Sequence, residues 1–411
     1  MNQRRPEPPF EVDAAHSSIA KRQRSEVEHG SPDVYQRTLE ATLGIPFTTG
    51  NRITVLKNGR EIFPAMLEAI EQAEEEVDFL TYVYWTGAIA ERFASTLAAK
   101  ARSGVDVEVI LDAYGAKAMR RDLLRTLREA GVDVLWFRPP TWRFWRYDNR
   151  THRKILVCDG RVGFTGGVGI AEEWEGDARN PSEWRDTHFR VEGPAVHGIH
   201  GAFVGNWVEM GRQVRLDEEK VAKLDAAGDA RVLCVRSVSS SGWSDIATLV
   251  QTLVQLAQRS LRITTPYFVP DNDTSQLLCD AAKRGVDVQI QVPGPYIDQR
   301  IVRAAARARY GRLLEAGVRI YQYQPTMQHT KCILVDDIVA CAGSANFNHR
   351  SLRKDDEFCL VIIDPPTLRI LGRHFEEDLA HCKPVLRKRW IARGWLDRIR
   401  ETAAQTLQHQ L

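Results

Sequence analysis

The sequence predicts an α/β protein of two similar halves, each a sheet covered by helices. Three observations predict it. Short β-branched segments alternate with helical stretches, the pattern of α/β units. The order of those segments repeats once along the chain. A costly polar set, His-x-Lys-x4-Asp, recurs in each half: His152, Lys154 and Asp159 return as His329, Lys331 and Asp336, each 177 residues on.

Taken in order, residues 1–45 are polar, proline-bearing and charged, and no order is expected before "LGIPFTTGNRITVLKNG". The first half, 46–215, runs through "EVDFLTYVYW", a helix, "ARSGVDVEVILD", a second helix and "REAGVDVLWFRPP". A charged, alanine-rich linker is placed at 216–230. The second half, 231–385, repeats the order with "SLRITTPYFVP", "AKRGVDVQIQVPG" and "LEAGVRIYQYQP". A basic and aromatic tail, 386–411, follows.

Composition narrows the class. With 43% hydrophobic and 27% charged residues in 411, the chain is globular and long enough for two cores. A formal charge of +2 gives no strong pull toward nucleic acid. The seven cysteines include no C-x-x-C pair and no zinc spacing, and read as reduced, buried thiols. The opening residues lack the apolar core of a signal peptide, and no run reaches the ~20 apolar residues of a membrane span. "VDFLTYVYWTGAIA", the longest candidate, reads as a strand entering a loop and helix.

Within each polar segment, residues two apart share a strand face, so His152 and Lys154 point the same way, as do His329 and Lys331. "DG" at 159–160 signals a two-residue hairpin, with Asp336-Asp337 as its less ideal counterpart. Pairing back from these turns sets Thr165 opposite Lys154 and Gly167 opposite His152. It likewise sets Ala342 opposite Lys331 and Ser344 opposite His329. Small residues opposite each histidine would leave room for a ligand, to which the Ser344 hydroxyl could donate. Asn346 faces the same side. Seven residues of strand span roughly 23 Å, so Asp159 cannot reach His152. An orienting acid must come from elsewhere, and Asp186 and Glu357, 34 and 28 residues past the histidines, are the candidates. Asp159 and Asp336, counted with the histidines and lysines in the candidate catalytic set, then read as mainly structural, or as stabilising the contact between halves.

Two histidines and two lysines supply what a phosphodiester needs without metal or cofactor: a nucleophile, an acid for the leaving oxygen, and cations for the phosphoryl oxygens. One imidazole attacks phosphorus to give a phosphohistidine. The other protonates the departing alcohol and later deprotonates the acceptor.

At these residues the sequence resembles the phospholipase D superfamily, whose signature is H-x-K-x4-D-x6-G-[GS]. Both copies fit, as His152/Lys154/Asp159/Gly166/Gly167 and His329/Lys331/Asp336/Gly343/Ser344. The resemblance spans roughly residues 50–385 and extends to bacterial cardiolipin synthases of the short type without N-terminal transmembrane helices. "WRDTHFRVEGPAV", "TPYFVPD" and "GSANFNHRSL" support it. It implies two α-β-α sandwich domains related by a pseudo-twofold axis with the site at their interface, His152 as nucleophile and His329 as general acid/base. One departure stands out: the family places Asn two residues after the second glycine, as at Asn346, but the first copy has Gly169. An amide contact to phosphate is then missing or supplied from "GIAEEW".

The site chemistry alone does not choose between lipid and nucleic acid. "LWFRPPTWRFWRYDNR" (residues 135–150) interleaves aromatics with arginines, and "LRKRWIARGWLDRIR" (386–400) is basic with two tryptophans. Both suit an anionic membrane interface. The paired histidines His197/His200 and His374/His381 lack an evident carboxylate set and read as ordinary helix residues, so no metal site is expected. The reading is a peripheral phosphatidyltransferase on the cytoplasmic face of the membrane, making cardiolipin from phosphatidylglycerol and a second phospholipid. A hydrolytic phospholipase D, or a nuclease or phosphodiesterase with the same site, is the alternative. Internal duplication removes the need for an oligomer to complete the site.

Overall fold

The computed structural model describes residues 30–139, 149–214, 224–238 and 244–391. The first half contributes β1 (Thr48–Lys57), β2 (Glu76–Thr81), β3 (Asp106–Asp112), β4 (Asp133–Phe137), β5 (Lys154–Cys158), β6 (Val162–Gly166) and β7 (Thr187–Glu192). The second contributes β8 (Ala230–Arg236), β9 (Ser260–Thr264), β10 (Asp287–Pro293), β11 (Arg319–Tyr323), β12 (Cys332–Val335), β13 (Val339–Gly343) and β14 (Phe358–Ile363), with β15 (Cys382–Pro384) on the outer edge. All belong to one 15-stranded sheet of order β15-β11-β10-β9-β12-β13-β14-β8-β1-β7-β6-β5-β2-β3-β4. Read outward from its centre, β1-β7-β6-β5-β2-β3-β4 and β8-β14-β13-β12-β9-β10-β11 are one topology used twice. The halves meet where β1 and β8 pair antiparallel, through Thr48↔Val232 and Asn51↔Ala230.

Helices complete each sandwich. Helices 58–72, 88–102 and 121–129 bury an apolar stripe on the outer face of the first half, and 245–256, 272–283 and 300–315 do so on the second. Val196–Glu209 and Pro365–Ala380 lie on the inner faces, in a core shared by both halves: Phe189, Phe203, Leu334, Phe358 and Phe375 belong to it. Apolar side chains exclude water from this seam, so the few polar groups crossing it must be paired there. Arg153, the residue between His152 and Lys154, is 1% exposed. It donates to Ala202 O at 2.8 Å, Asn206 Oδ1 at 2.7 Å and, across the seam, Ser237 O at 2.6 Å. Arg185 of the first half reaches Asp378 of the second at 3.1 Å.

The structure corrects the sequence reading at both ends. The segment expected to lack order holds a helix, Pro32–Leu43, capped by the Ser31 side chain, with proline in its first turn and Gly44 left-handed at its end. Its Tyr35 and Leu39 are buried in the core of the second half. Tail residue Trp390 is also buried, 5.4 Å from the ring of Tyr310, because helix 300–315 leaves an apolar stripe that it covers. Tail residues 392–411 and linker residues 216–223 lie outside the described residues. In the arginine-aromatic stretch, Trp136 and Phe137 belong to β4 and Phe137 is core, while residues 140–148 lie outside the described residues.

The hairpins carry a second correction. Asp159 and Gly160 have φ of 51° and 60°, and Arg161 N donates to Cys158 O at 3.0 Å, so the expected tight turn forms. One more residue is then passed over before pairing begins with Cys158↔Val162. The second hairpin repeats this, pairing Val335↔Val339. The bulge shifts the register by one, setting Thr165 opposite Ile155 and Ala342 opposite Cys332. All seven cysteines are unbridged, and no helix among the described residues is long and apolar enough to cross a membrane.

Candidate active site

Each histidine lies just before a central strand, in a segment that pairs with the other half. His152 N donates to Asp356 O at 2.9 Å and Asp356 N to Arg150 O at 2.8 Å. His329 N donates to Arg185 O at 2.7 Å and Arg185 N to Met327 O at 2.9 Å. These two short parallel bridges, Thr151↔Asp356 and Arg185↔Gln328, bring each histidine beside the acid of the opposite half. The orienting pairs are therefore crossed. His152 Nδ1 lies 3.0 and 3.1 Å from the Glu357 carboxylate oxygens, and His329 Nδ1 lies 2.7 Å from Asp186 Oδ2.

A carboxylate accepts but does not donate, so it holds the proton on Nδ1 of its neutral imidazole. Nε2 of each ring is left with its lone pair, which suits attack on phosphorus or exchange of a proton with an alcohol. Lys154 Nζ donates to His152 O and Lys331 Nζ to His329 O, both at 2.6 Å, folding each ammonium back beside its ring. Lys331 Nζ is also 3.0 Å from His329 Nε2.

Burial and charge set the protonation. Desolvation, with the two lysines, lowers His152 to about 4 and His329 to about 3, against the upward pull of their acids. Burial lowers Lys154 to about 7 and Lys331 to about 8, and Lys331 adds to the effect on Lys154. Burial opposes ionisation of Asp186 and Glu357, but the adjoining histidines and lysines hold both carboxyls below their ordinary values. A bound anion would favour every one of these cationic forms. The cluster is built to take up a negative group.

The small residues after the hairpins serve the acids rather than a ligand. A Cβ on Gly167 would stand 2.2 Å from Asp186 Oδ1, so only glycine lets that carboxylate lie there. Ser344 Oγ donates to Glu357 Oε2, and Phe358 N donates to Ser344 Oγ at 3.0 Å. The serine hydroxyl is thus committed to positioning Glu357, which corrects its expected role as a ligand donor. Asp159 and Asp336 stand apart from the reacting groups. Asp159 accepts from the N–H groups of Glu74, Glu75 and Glu76, and Asp336 from those of Gln258, Arg259 and Ser260. Each ties the start of β2 or β9 to its hairpin, and Asp336 also accepts from Tyr35 Oη. They are structural within their own half, and neither belongs to the catalytic set.

His152, Lys154, His329 and Asn346 line one cavity of about 430 Å³, within the range of small-ligand sites. Its two walls differ. Around His329 stand Trp174 and Trp184, with ring centroids 5.1 and 5.4 Å from the imidazole. Trp174 Nε1 donates to Asp186 Oδ2 at 2.9 Å. A Cβ on Gly169 would come within 2.6 Å of Val83 Cβ and 3.3 Å of Trp174. The amide absent there is therefore replaced by packing, and "GIAEEW" supplies an indole to the acid. Tyr82 stands edge-on to His152 at 4.9 Å and accepts from Arg150 at 3.2 Å. Tyr82, Trp174, Trp184, Asp298 and Asp355 escape sequence reading because they converge from separate loops. Only the Trp174 and Trp184 flanks of "EEW" and "EWRD" offered a signal.

One expectation is overturned away from the cavity. His200 Nε2 lies 3.0 Å from Asp78 Oδ2, and ligand atoms of Glu76, Asp78 and His200 fall within 4.8 Å of one another, so carboxylates do converge on that helix histidine. Residues 76 and 78 share a strand face, which the helix 196–209 then covers. None of the three lines the cavity.

Known proteins resemble this chain in sequence and in fold. A family model described as "Cardiolipin synthase, PLD-like domain" matches residues 66–173 and 250–379. A probable cardiolipin synthase, YwiE, of Bacillus subtilis strain 168 is 33% identical over 365 residues, covering 87% of this chain and 72% of that protein. The major cardiolipin synthase ClsA of the same organism is 32% identical over 365 residues, covering 88% and 76%. In fold, the chain is similar to phosphatidylserine synthase of Haemophilus influenzae Rd KW20, with a TM-score of 0.68 at 17% identity over 92% of this chain and 99% of that one.

Proposed function

The chain belongs to the cardiolipin synthase, PLD-like family, and from that premise we propose that it is a phosphatidyltransferase that makes cardiolipin from phosphatidylglycerol and a second phospholipid. The observation that supports this reading most strongly is the pair of crossed His–acid couples on one cavity, each beside a buried lysine. Relatives spanning most of the chain are named cardiolipin synthases.

In the first step His152 Nε2 attacks the phosphorus of phosphatidylglycerol. The phosphorus–oxygen bond to the head-group glycerol breaks, and His329, which takes up a proton at Nε2 as the anionic phosphodiester binds, supplies the proton that glycerol carries away. The products are free glycerol and a phosphatidyl-His152. In the second step His329 removes a proton from the hydroxyl of the acceptor phospholipid, whose oxygen displaces His152 from phosphorus. Cardiolipin leaves and both histidines return to their starting forms. Lys154 and Lys331 neutralise the phosphoryl oxygens as charge shifts onto them. Glu357 and Asp186 stabilise each imidazolium as it forms and fix its ring.

The membrane is the source of both substrates, and the rim of the cavity suits its anionic surface. Tyr114 is 52% exposed there, with the Arg150 guanidinium 3.6 Å and Lys117 Nζ 4.6 Å from its ring centroid. Such aromatic and cationic groups favour a headgroup boundary. We place the enzyme peripherally, on the cytoplasmic face.

The test is mass spectrometry of lipids after incubation with phosphatidylglycerol vesicles, alongside His152→Ala. Cardiolipin formed only by the intact protein is expected. Phosphatidic acid in its place would make water the acceptor and the protein a hydrolase. Unchanged lipid in both samples would overturn the reading.

A further inference from the structure

The row of residues that crosses the sheet at each lysine differs between the halves. Ile155 pairs with Thr165 and Gly166 with His188, so Lys154, Gly166 and His188 stand side by side on one face of β5, β6 and β7. The matching row of the second half is Lys331, Gly343 and Cys359. Lys331 Nζ has His329 O and both His329 ring nitrogens within 3.0 Å, and Cys359 belongs to the apolar core. Lys154 Nζ has one hydrogen bond among the described residues, to His152 O at 2.6 Å. An ammonium has three donors, so two are unspent, although Lys154 is only 3% exposed. His188 is 1% exposed, and neither of its ring nitrogens has a hydrogen-bond partner among the described residues. Gly166 opens the way between the two. A Cβ there would stand 2.5 Å from His188 Nδ1, so the imidazole leans over the glycine toward the lysine. One strand spacing, about 4.8 Å, then remains to the strand that carries Lys154, and a lysine side chain is longer than that.

We infer that His188 is a positioning residue for Lys154: its Nδ1 lone pair accepts the ammonium's third hydrogen bond when a phosphodiester occupies the cavity, aiming the cation at a phosphoryl oxygen. This rests on the phosphatidyl-transfer reading, in which Lys154 neutralises that oxygen. Buried donors and acceptors are costly while unmet, and here one unmet donor and one unmet acceptor share a row. The phosphoryl oxygen takes the remaining N–H. The imidazole suits the role because it stays neutral: burial and Lys154 lower it to about 4, against the pull of Asp186. Lys154 itself feels Lys331, Glu357, Asp186 and Asp112, and replacing His188 alters none of these. An acceptor pairs better with an ammonium than with an amine, so removing it lets Lys154 lose its proton at lower pH.

The full chain is assayed on phosphatidylglycerol vesicles, and kcat/KM is followed from pH 5 to 9 for the wild type, His188→Asn, His188→Cys and His188→Ala. The Asn carboxamide oxygen can stand where Nδ1 does. Cys, the residue at the matching position of the second half, and Ala offer the ammonium no comparable acceptor. In the Cys and Ala variants the alkaline limb is expected to move about one to two pH units toward acid, the worth of a hydrogen bond to a charged group. In His188→Asn it should stay where the wild type has it. The position of the limb does not depend on how much of a preparation is active, and either acceptor-free variant suffices if the other fails to fold. An unmoved limb in both would overturn the inference. Equal displacement in His188→Asn would assign the effect to packing of the ring and overturn it as well. A wild type that leaves phosphatidylglycerol unchanged at every pH would instead sink the transfer reading beneath it.

Discussion

Asp186 of the first half accepts a hydrogen bond from His329 of the second at 2.7 Å, while Glu357 of the second half serves His152 of the first at 3.0 Å. Neither half therefore holds a complete His–acid couple. Arg153 and Arg185, the buried polar groups that cross the apolar seam, hold the halves in the register the crossing needs: a slip of one half would uncouple both pairs at once.

The crossed couples predict separable defects. Asp186→Asn should lower lipid turnover by about 10²–10⁴-fold, the range for a group that orients and stabilises a catalytic imidazolium. It should lose far less on a p-nitrophenyl phosphodiester, whose leaving group needs no proton. Glu357→Gln should depress both substrates alike, because it weakens the nucleophile. Parallel rate measurements check this, and equal losses on both substrates in both variants would refute the assignment.

Gly167→Ala should act through Asp186. The new methyl would fall 2.2 Å from Asp186 Oδ1, so the carboxylate must leave His329. Activity is expected to fall about 10²-fold or more, with the same leaving-group rescue as Asp186→Asn. Ser344→Ala removes one hydrogen bond to Glu357 and should cost about tenfold. Steady-state kinetics on both substrates measures each.

Asp336 should matter to the fold. Replacing it by Ala unseats three backbone N–H groups and the Tyr35 hydroxyl, a loss of about 3 kcal/mol. Tyr35→Phe, which keeps the carboxylate, should cost about 1 kcal/mol. Denaturant titration measures both, and kcat per folded molecule should stay near wild type.

Activity and stability should respond oppositely to alkali. Lys154 and Lys331 titrate at about 7 and 8 in the folded protein, against about 10.4 when unfolded. Between those values the unfolded chain binds more protons, so stability rises with pH from about 7 toward 10. The same deprotonation strips the cations from the phosphoryl oxygens, so kcat/KM should fall above pH 7–8. With His152 lowered to about 4, the nucleophile should stay neutral at pH 5, where an ordinary histidine is largely charged. Tm and kcat/KM profiles from pH 5 to 10 check both limbs, and parallel profiles would contradict the titration scheme.

The alternation of strand and helix segments carried the α/β class, its repetition together with the doubled His-x-Lys-x4-Asp spacing carried the duplication, and that spacing singled out His152, Lys154, His329 and Lys331. These are local facts: a strand's period of two sets which residues share a face, and a left-handed Asp-Gly turn announces its hairpin. Asp186 and Glu357 were legible as the acids, since strand length barred Asp159 and Asp336 from reaching the histidines. What the sequence could not decide was which acid meets which histidine. That choice depends on the bridges Thr151↔Asp356 and Arg185↔Gln328, which form only once two cores have packed against a shared one. The hairpin bulges, the buried Trp390 and the convergence of Trp174, Trp184 and Asp355 on one cavity were settled in the same way. Each depends on packing between segments distant along the chain, and no local period or propensity encodes that packing.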